Sequence, residues 1–399
     1  MKKKKVLYIS NINLKGPFLL GVVEKIKGQV AAFADAGFAI DTLSVEDKDT
    51  IVFTREDGTR ELFKGYLNEM NFTGIISKII RRLQVILYGN MNFDACEKRI
   101  VEEKYDAVYL RFFLPGADLI RGLKRLRKLS PQTLILLEYP TLNVKEAFDK
   151  DIVRKISYAC NVGRIKKLNN LSDYIITLTK DKELFGRPAV FMANGIDLTG
   201  IKPVAAPAFI DTVVILGVAS DCAFYHGFDK VIRGLSEYNK KGSPVHVLFR
   251  IVSNPLSTNV TQLKELTKEL NAEEEVVFEL PKTRQELAIE YGKVHLGMGT
   301  LALHRIGLND NYSLKHREYA AFGLPFIMSK GDAHFEDSPY VMVEERNEEP
   351  LDIQRIVDFY LQLREKHPDY PGDFRKSMEP VINWEAQMKE VFTVINKGK

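Results

Sequence analysis

The sequence predicts two α/β domains, each a mostly parallel sheet wound with helices. Three observations predict this. Short apolar runs of strand length alternate with segments of helical period along nearly the whole chain. Near mid-chain a strand, the turn NGID and the linker TGIKPVAAPAF interrupt the alternation, and a new strand, TVVILGVA, restarts it. The 399 residues, 45% of them hydrophobic, suit two cores, each serving roughly 150 to 200 residues. The boundaries read as 1–203, 204–380 and a closing helix over 381–399.

The first half opens with a buried strand at 5–10 and the loop NINLKGPFLLG. A helix follows with Val22, Ile26, Val30 and Phe33 on one stripe; it stops at Gly37, and FAIDTLS is the second strand. Gly16 and Gly21 let backbone approach a ligand at the carboxyl end of the first strand, where wound sheets bind. There is no G-x-G-x-x-G and no G-K-[ST], so neither a dinucleotide dehydrogenase nor a P-loop kinase is supported. IVFTREDGTRELF reads as a hairpin around Asp57 and Gly58. TGIISKIIRRLQVILYGN reads as a basic amphipathic helix, packed on its own sheet in one reading and touching a membrane in the other. A strand at 105–110 delivers Arg111 and another at 133–137 delivers Glu138, both toward one cleft. Glu138 is a candidate for acceptor binding or base work, with a buried salt bridge to Arg111 as the alternative. DYIITLT, PAVFMA and NGID close the domain.

The second half continues the alternation with GVASDCAFYHGFDKVIRGL, HVLFRIVS, TQLKELTKEL, EEVVFEL and TRQELAIEY. Its most informative stretch is GTLALHRIGLNDNYSLKHREYAAFGLPFI, residues 299–327. An apolar strand at 294–298 precedes it; then come a polar loop, Ser313 as helix cap, a helix through Phe322, Gly323 and a buried strand at 324–328. The first turn of that helix offers unpaired N–H groups and a positive dipole end, so residues 312–315, including Ser313 and Leu314, form a candidate phosphate site. Lys315 adds a cation. One turn deeper, Glu318 is placed to accept hydrogen bonds from the vicinal hydroxyls of a ribose. Phosphate and ribose together point to a nucleotide. The chain ends in VINWEAQMKEVFTVINKG, a helix in which Trp384 and Phe392 face inward.

The order of Asp310, Ser313, Lys315, Glu318, Gly323 and Pro325 resembles the donor-binding motif of retaining glycosyltransferases with the GT-B fold, family 4 in particular. That resemblance implies two Rossmann-like domains facing across a cleft, with the last helix crossing back onto the first. It implies that Glu318 holds the nucleotide ribose, that the loop around Asp310 faces the donor sugar, and that the main chain at Leu280 to Thr283 cradles the base. NGID ends the first domain in such proteins. The sequence departs from the family in four places. Asp310 stands where Glu is usual, LLEYPT replaces a segment that often carries a histidine, His226-Gly227 stands for Lys-Gly, and the diphosphate-binding Arg has no evident equivalent. The donor site is therefore assigned to Ser220, His226, Arg305, Ser313, Leu314, Lys315 and Glu318, with Gly16 from the first domain. Glu138, Asp310 and Lys315 are the catalytic candidates. The implied activity is transfer of a sugar from a nucleotide-diphosphate sugar to a glycan or lipid-linked acceptor, as in bacterial cell-surface polysaccharide synthesis. Two alternatives remain, a nucleotide-sugar 2-epimerase of the same fold and a non-catalytic nucleotide-sugar-binding relative.

The Asp-x-Asp triplets, Asp47-Lys48-Asp49 and Asp149-Lys150-Asp151, lie outside the donor motif, and no metal or other cofactor is expected. Cys96, Cys160 and Cys222 are too scattered for a disulfide framework or a thiolate zinc site, which fits a reducing cytoplasm. The start MKKKKVLYISNIN is too short in apolar residues for a signal peptide or a span. Residues 1–200 hold 33 Lys and Arg against 24 Asp and Glu, while the remainder holds 24 against 29. The basic clusters at Lys2 to Lys5, Lys78 to Arg82, Arg121 to Lys128 and Arg164 to Lys167 read as solvated helix faces. Their second reading is peripheral contact with anionic headgroups or with a diphosphate-bearing acceptor. Separate clusters without stacking aromatics disfavour nucleic acid.

Overall fold

A computed structural model describes residues 3–15, 20–46, 50–64, 93–140 and 152–399. The helix expected within residues 73–90, including Lys78 to Arg82, and the site residue Gly16 lie outside them. The chain forms two compact units, one of Met1–Ala193 with Trp384–Lys399 and one of Asn194–Asn383.

In the first unit, β1 (Lys5–Asn13), α1 (Leu20–Asp35), β2 (Ala39–Glu46) and the hairpin β3 (Thr50–Thr54) to β4 (Arg60–Lys64) come first. They are followed by α2 (Asp94–Glu102), β5 (Ala107–Arg111), α3 (Ala117–Leu129), β6 (Leu134–Tyr139), α4 (Ile152–Leu171), β7 (Tyr174–Thr177), β8 (Glu183–Leu184) and β9 (Arg187–Phe191). The strands lie in the order β4-β3-β2-β1-β5-β6-β7-β9-β8. From β2 to β9 the pairs are parallel; the β3–β4 hairpin and β8 add antiparallel edges. The hairpin turn forms as expected, with the Asp57 side chain accepting from the Thr59 N–H and Gly58 at φ 83°. Because side chains of a strand alternate, β1 sends Leu7 and Ile9 into one apolar layer and Val6 and Tyr8 into the other. The sheet is thus covered on both faces, which is what a parallel sheet requires.

The second unit runs through β10 (Thr212–Val218), α5 (Phe228–Asn239), β11 (His246–Val252), α6 (Thr258–Glu269), β12 (Val276–Glu279) and α7 (Arg284–Tyr291). It continues with β13 (Leu296–Met298), α8 (Leu314–Phe322), β14 (Phe326–Ser329), β15 (Val341–Glu344), α9 (Ile353–Lys366) and α10 (Tyr370–Ile382). All pairs are parallel, in the order β12-β11-β10-β13-β14-β15. Counted from β10 this is the 3-2-1-4-5-6 order of nucleotide-binding sheets, whose switch point falls between β10 and β13. The unit begins at Asn194, earlier than the expected boundary at 203/204. Ile196 bridges to Asn383 and donates to the Ile382 carbonyl at 2.8 Å, so the NGID turn packs with the second unit.

The chain then returns to the first unit as α11 (Trp384–Lys397). Trp384 and Phe392 are buried, with Phe392 5.3 Å from Phe33 of α1. Gly28 of α1 leaves the space that the Trp384 indole fills; a Cβ there would overlap it. Lys4 donates to the carbonyls of Ile395 and Asn396 at 2.7 and 2.9 Å, which places a cation on the last turn of the helix. Among the described residues no helix is long and apolar enough to cross a membrane.

Candidate functional site

The site in the second unit grows out of the two strand ends that flank the switch point. After β10 the chain makes a short 3-10 turn, Phe224–His226, and reverses at Gly227, whose φ of 71° favours glycine. A Cβ on Gly227 would lie 2.8 Å from that of Leu301, because the turn is docked on the loop after β13. Leu301 and Ala302 donate to the carbonyls of His226 and Tyr225, each at 3.1 Å. This docking brings the ring of His226 to the first turn of α8.

There Lys315 Nζ lies 3.2 Å from His226 Nδ1 and 5.6 Å from the centre of the Phe228 ring, on which the His226 ring also stacks. Burial pushes the Lys315 ammonium down to about 8, which leaves it largely charged at neutral pH. Burial and then the Lys315 charge hold His226 well below its ordinary value, so the imidazole is neutral. An ammonium only donates, so Nδ1 accepts and the ring proton sits on Nε2. The pair therefore presents ammonium N–H groups and an imidazole N–H, a donor set suited to an anion.

Helix α8 starts at Leu314 with Ser313 in extended N-cap geometry, but the Ser313 side chain makes no cap hydrogen bond. The helix ends on Gly323 at φ 71°, with the Gly323 and Leu324 N–H groups donating to Ala320 and Tyr319. Glu318, one turn on from Leu314 and Lys315, is half-buried, and burial raises its carboxyl above the usual range despite the Arg284 guanidinium and the Tyr291 hydroxyl beside it. Asp310 is half-buried in the loop and makes no hydrogen bond or ion pair with a described residue. Ser220 lies exposed at the end of β10, its carbonyl accepting from Asn254 N–H at 3.1 Å. The loop from Leu280 to Thr283 leads into α7, which Thr283 and Glu286 close with a capping box.

Arg305 meets a geometry other than the one expected, and Glu138 takes the alternative read for it, a buried salt bridge with Arg111. Arg305, assigned to the donor diphosphate, is fully engaged. It forms a bidentate pair with Asp229 at 2.9 Å, bonds Glu348 at 2.6 Å and donates to the Phe224 carbonyl at 2.7 Å. It braces the turn that carries His226. Glu138, a catalytic candidate, lies in the first unit with both oxygens taken. Oε1 receives Lys25 at 2.7 Å and Arg111 at 3.4 Å, and Oε2 receives the Tyr109 hydroxyl at 2.9 Å and Gln29 at 3.3 Å. Burial raises its pKa, but the two cations outweigh that and the net shift is downward, which makes it a poor proton acceptor.

Sequence reading also passed over the group beneath α8. Arg317, wholly buried, pairs with Asp332 and donates to the Asn194 carbonyl at 2.8 Å, with His334 Nδ1 at 2.8 Å. His316 Nδ1 meets the same Asp332 at 2.9 Å, and Asn194 donates to the Tyr312 carbonyl at 2.6 Å. This network fixes the start of α8 against the NGID turn and the loop after β14. Among the described residues no group of three or more His, Cys, Asp or Glu is arranged to hold a metal ion.

No family model and no curated protein matches the sequence. Solved structures do match it. Sucrose-phosphate synthase from Thermosynechococcus elongatus aligns at a TM-score of 0.60 and 13% identity, covering 99% of each chain. The trehalose-6-phosphate synthase OtsA aligns at 0.62 and 12% identity, covering 99% of this chain and 100% of its own. Anabaena HepE, solved in complex with UDP, aligns at 0.57 and 11% identity, covering 98% and 99%. These similarities show the fold, which is GT-B.

Proposed function

We propose that this chain is a retaining glycosyltransferase that binds a nucleotide-diphosphate sugar on its second unit and passes the sugar to a glycan or lipid-linked acceptor. The observation that carries the reading is the contact between Lys315 and the neutral His226 at the switch point of a 3-2-1-4-5-6 sheet. Breaking the bond between sugar and diphosphate leaves negative charge on the departing phosphate. Charged N–H donors already in place, together with the amino end of α8, stabilise that charge without reorganising. Glu318 is set one turn deeper, where two vicinal ribose hydroxyls would satisfy a carboxylate that burial disfavours. The UDP in the HepE complex supports a nucleoside diphosphate as the ligand class. Asp310, which makes no ion pair with a described residue, is assigned to the donor sugar.

The reading places the protein in polysaccharide biosynthesis on the cytoplasmic side of a membrane, with its basic clusters meeting anionic headgroups. It requires no metal, so activity should survive EDTA; a strict need for Mg²⁺ or Mn²⁺ would sink the site as drawn. The deciding experiment is a thermal-shift screen against nucleoside diphosphates and their sugars, followed by product analysis with and without acceptor. Stabilisation by one diphosphate and a glycoside formed only with acceptor are expected. A new sugar formed with no acceptor would identify a 2-epimerase instead, and no stabilisation by any nucleotide would overturn the reading.

A further inference from the structure

The first unit has a switch point of its own. β1 feeds α1 and then β2 on one side, while β5 lies on its other side, so the crevice at the carboxyl ends opens between β1 and β5. Arg111 is the last residue of β5 and stands in register with Glu138 of β6, and α1 brings Lys25 to the same place. Lys25, Arg111 and Glu138 are only 5%, 8% and 1% exposed. Burial at that level ordinarily demands balanced charge. Among the described residues, two cations here share one carboxylate.

The carboxylate has nothing left to give. Its two oxygens take Lys25, Arg111, Tyr109 and Gln29, and Gln29 is itself oriented by the Tyr8 hydroxyl at 2.7 Å. Arg111 has much left. Its one hydrogen bond among the described residues is the 3.4 Å contact from Nη1 to Glu138, so the other guanidinium N–H groups have no acceptor among those residues. A guanidinium that serves only structure normally spends its fork on paired bonds. In this cluster Glu138 holds two cations in position, and no described residue takes the rest of the Arg111 fork at the end of the sheet.

The geometry points to an oxyanion subsite on the first unit, in which Arg111 and Lys25, held by Glu138, take a phosphoryl or carboxylate group. The bound anion completes the charge balance of the buried cluster and accepts the unused guanidinium donors in a bidentate mode. That the anion belongs to the sugar acceptor rests on the glycosyltransferase reading; the anion site itself does not.

The test uses the full chain in a Lys315→Ala background, which removes the cation of the second unit's site. Inorganic phosphate and acetate are titrated separately by calorimetry. Phosphate should still bind, and adding Arg111→Gln should weaken it by about tenfold or more, the scale of a lost charged hydrogen bond. Arg111→Lys, which keeps the charge and loses the fork, should weaken it less. Acetate binding of equal strength assigns the site to carboxylates as well, and phosphate binding alone assigns it to phosphoryl groups. The inference is overturned if Lys315→Ala binds neither anion, or if Arg111→Gln binds both unchanged. Should Arg111→Gln fail to fold, Arg111→Lys decides, since unchanged affinity there rules out the bidentate contact. Failure of the glycosyltransferase reading shows elsewhere, in wild-type protein that binds no nucleoside diphosphate.

Discussion

The charge of Lys315 sets how nucleotide binding must respond to pH. Its ammonium is pushed down to about 8 by burial, far below an ordinary lysine. If a diphosphate binds only when the ammonium is charged, its apparent Kd grows by the factor 1 + 10^(pH − pKa). Relative to pH 7, where the factor is only about 1.1, the Kd is about 1.8-fold higher at pH 8 and about 10-fold higher at pH 9. The free protein should respond in the opposite sense. Between about 8 and the ordinary lysine value the unfolded chain still holds a proton that the folded chain has released, so stability rises with pH across that window. Calorimetric titration of the nucleoside diphosphate from pH 7 to 9.5, beside thermal melts of the free protein, measures both. Lys315→Arg, charged throughout, should remove the inflection, and Lys315→Met should bind weakly and without it. A Kd flat from pH 7 to 9.5 in the wild type, or the same inflection in Lys315→Met, would refute the assignment of the phosphate to this lysine.

Three further outcomes are expected. Lys315→Ala should lower turnover about a hundredfold, like removal of one donor from an oxyanion site, with a Tm that does not fall; a raised KM at wild-type turnover would make the residue an anchor only. Glu318→Gln should weaken donor binding by about 1 to 3 kcal/mol, the scale of a charged hydrogen bond lost from a buried site, and unchanged calorimetric affinity would remove it from the ribose. Asp332→Asn leaves the buried Arg317 without its carboxylate and should cost about 3 to 5 kcal/mol, read as a lowered denaturation midpoint; a wild-type midpoint would mean that the network does not hold α8.

What the sequence made legible was local. Helix α8, its end at Gly323 and the hairpin around Gly58 depend on residues within a few positions of one another, and each formed where turn and cap chemistry placed it. The nearness of His226 to Lys315 was also within reach, because the resemblance assigned both positions to one diphosphate. Long-range pairing was not legible. Nothing near Arg305 in sequence shows that Asp229 and Glu348 occupy it, and Asn194 looked like a turn residue when its amide in fact reaches Tyr312. Lys25 and Gln29 flank the apolar stripe of α1 at helical spacing. A polar side chain at such a position reads as solvated unless its partner, 113 residues away for Lys25 and Glu138, is already known to lie above it.

The return of α11 to the first unit bears on how the protein is made. A ribosome delivers residues 3–193 first, yet the surface of α1 that Gly28 leaves open is filled only when Trp384 emerges, after the whole of the second unit. The second unit is an insertion, its entry and exit held side by side where Ile196 bridges to Asn383, and it can close on itself during synthesis. The first unit must wait with an apolar groove around Phe33 and Phe38 uncovered. A nascent chain stalled before residue 384 therefore exposes a sticky, nearly finished sheet, and chaperone capture or aggregation should be greatest at that length.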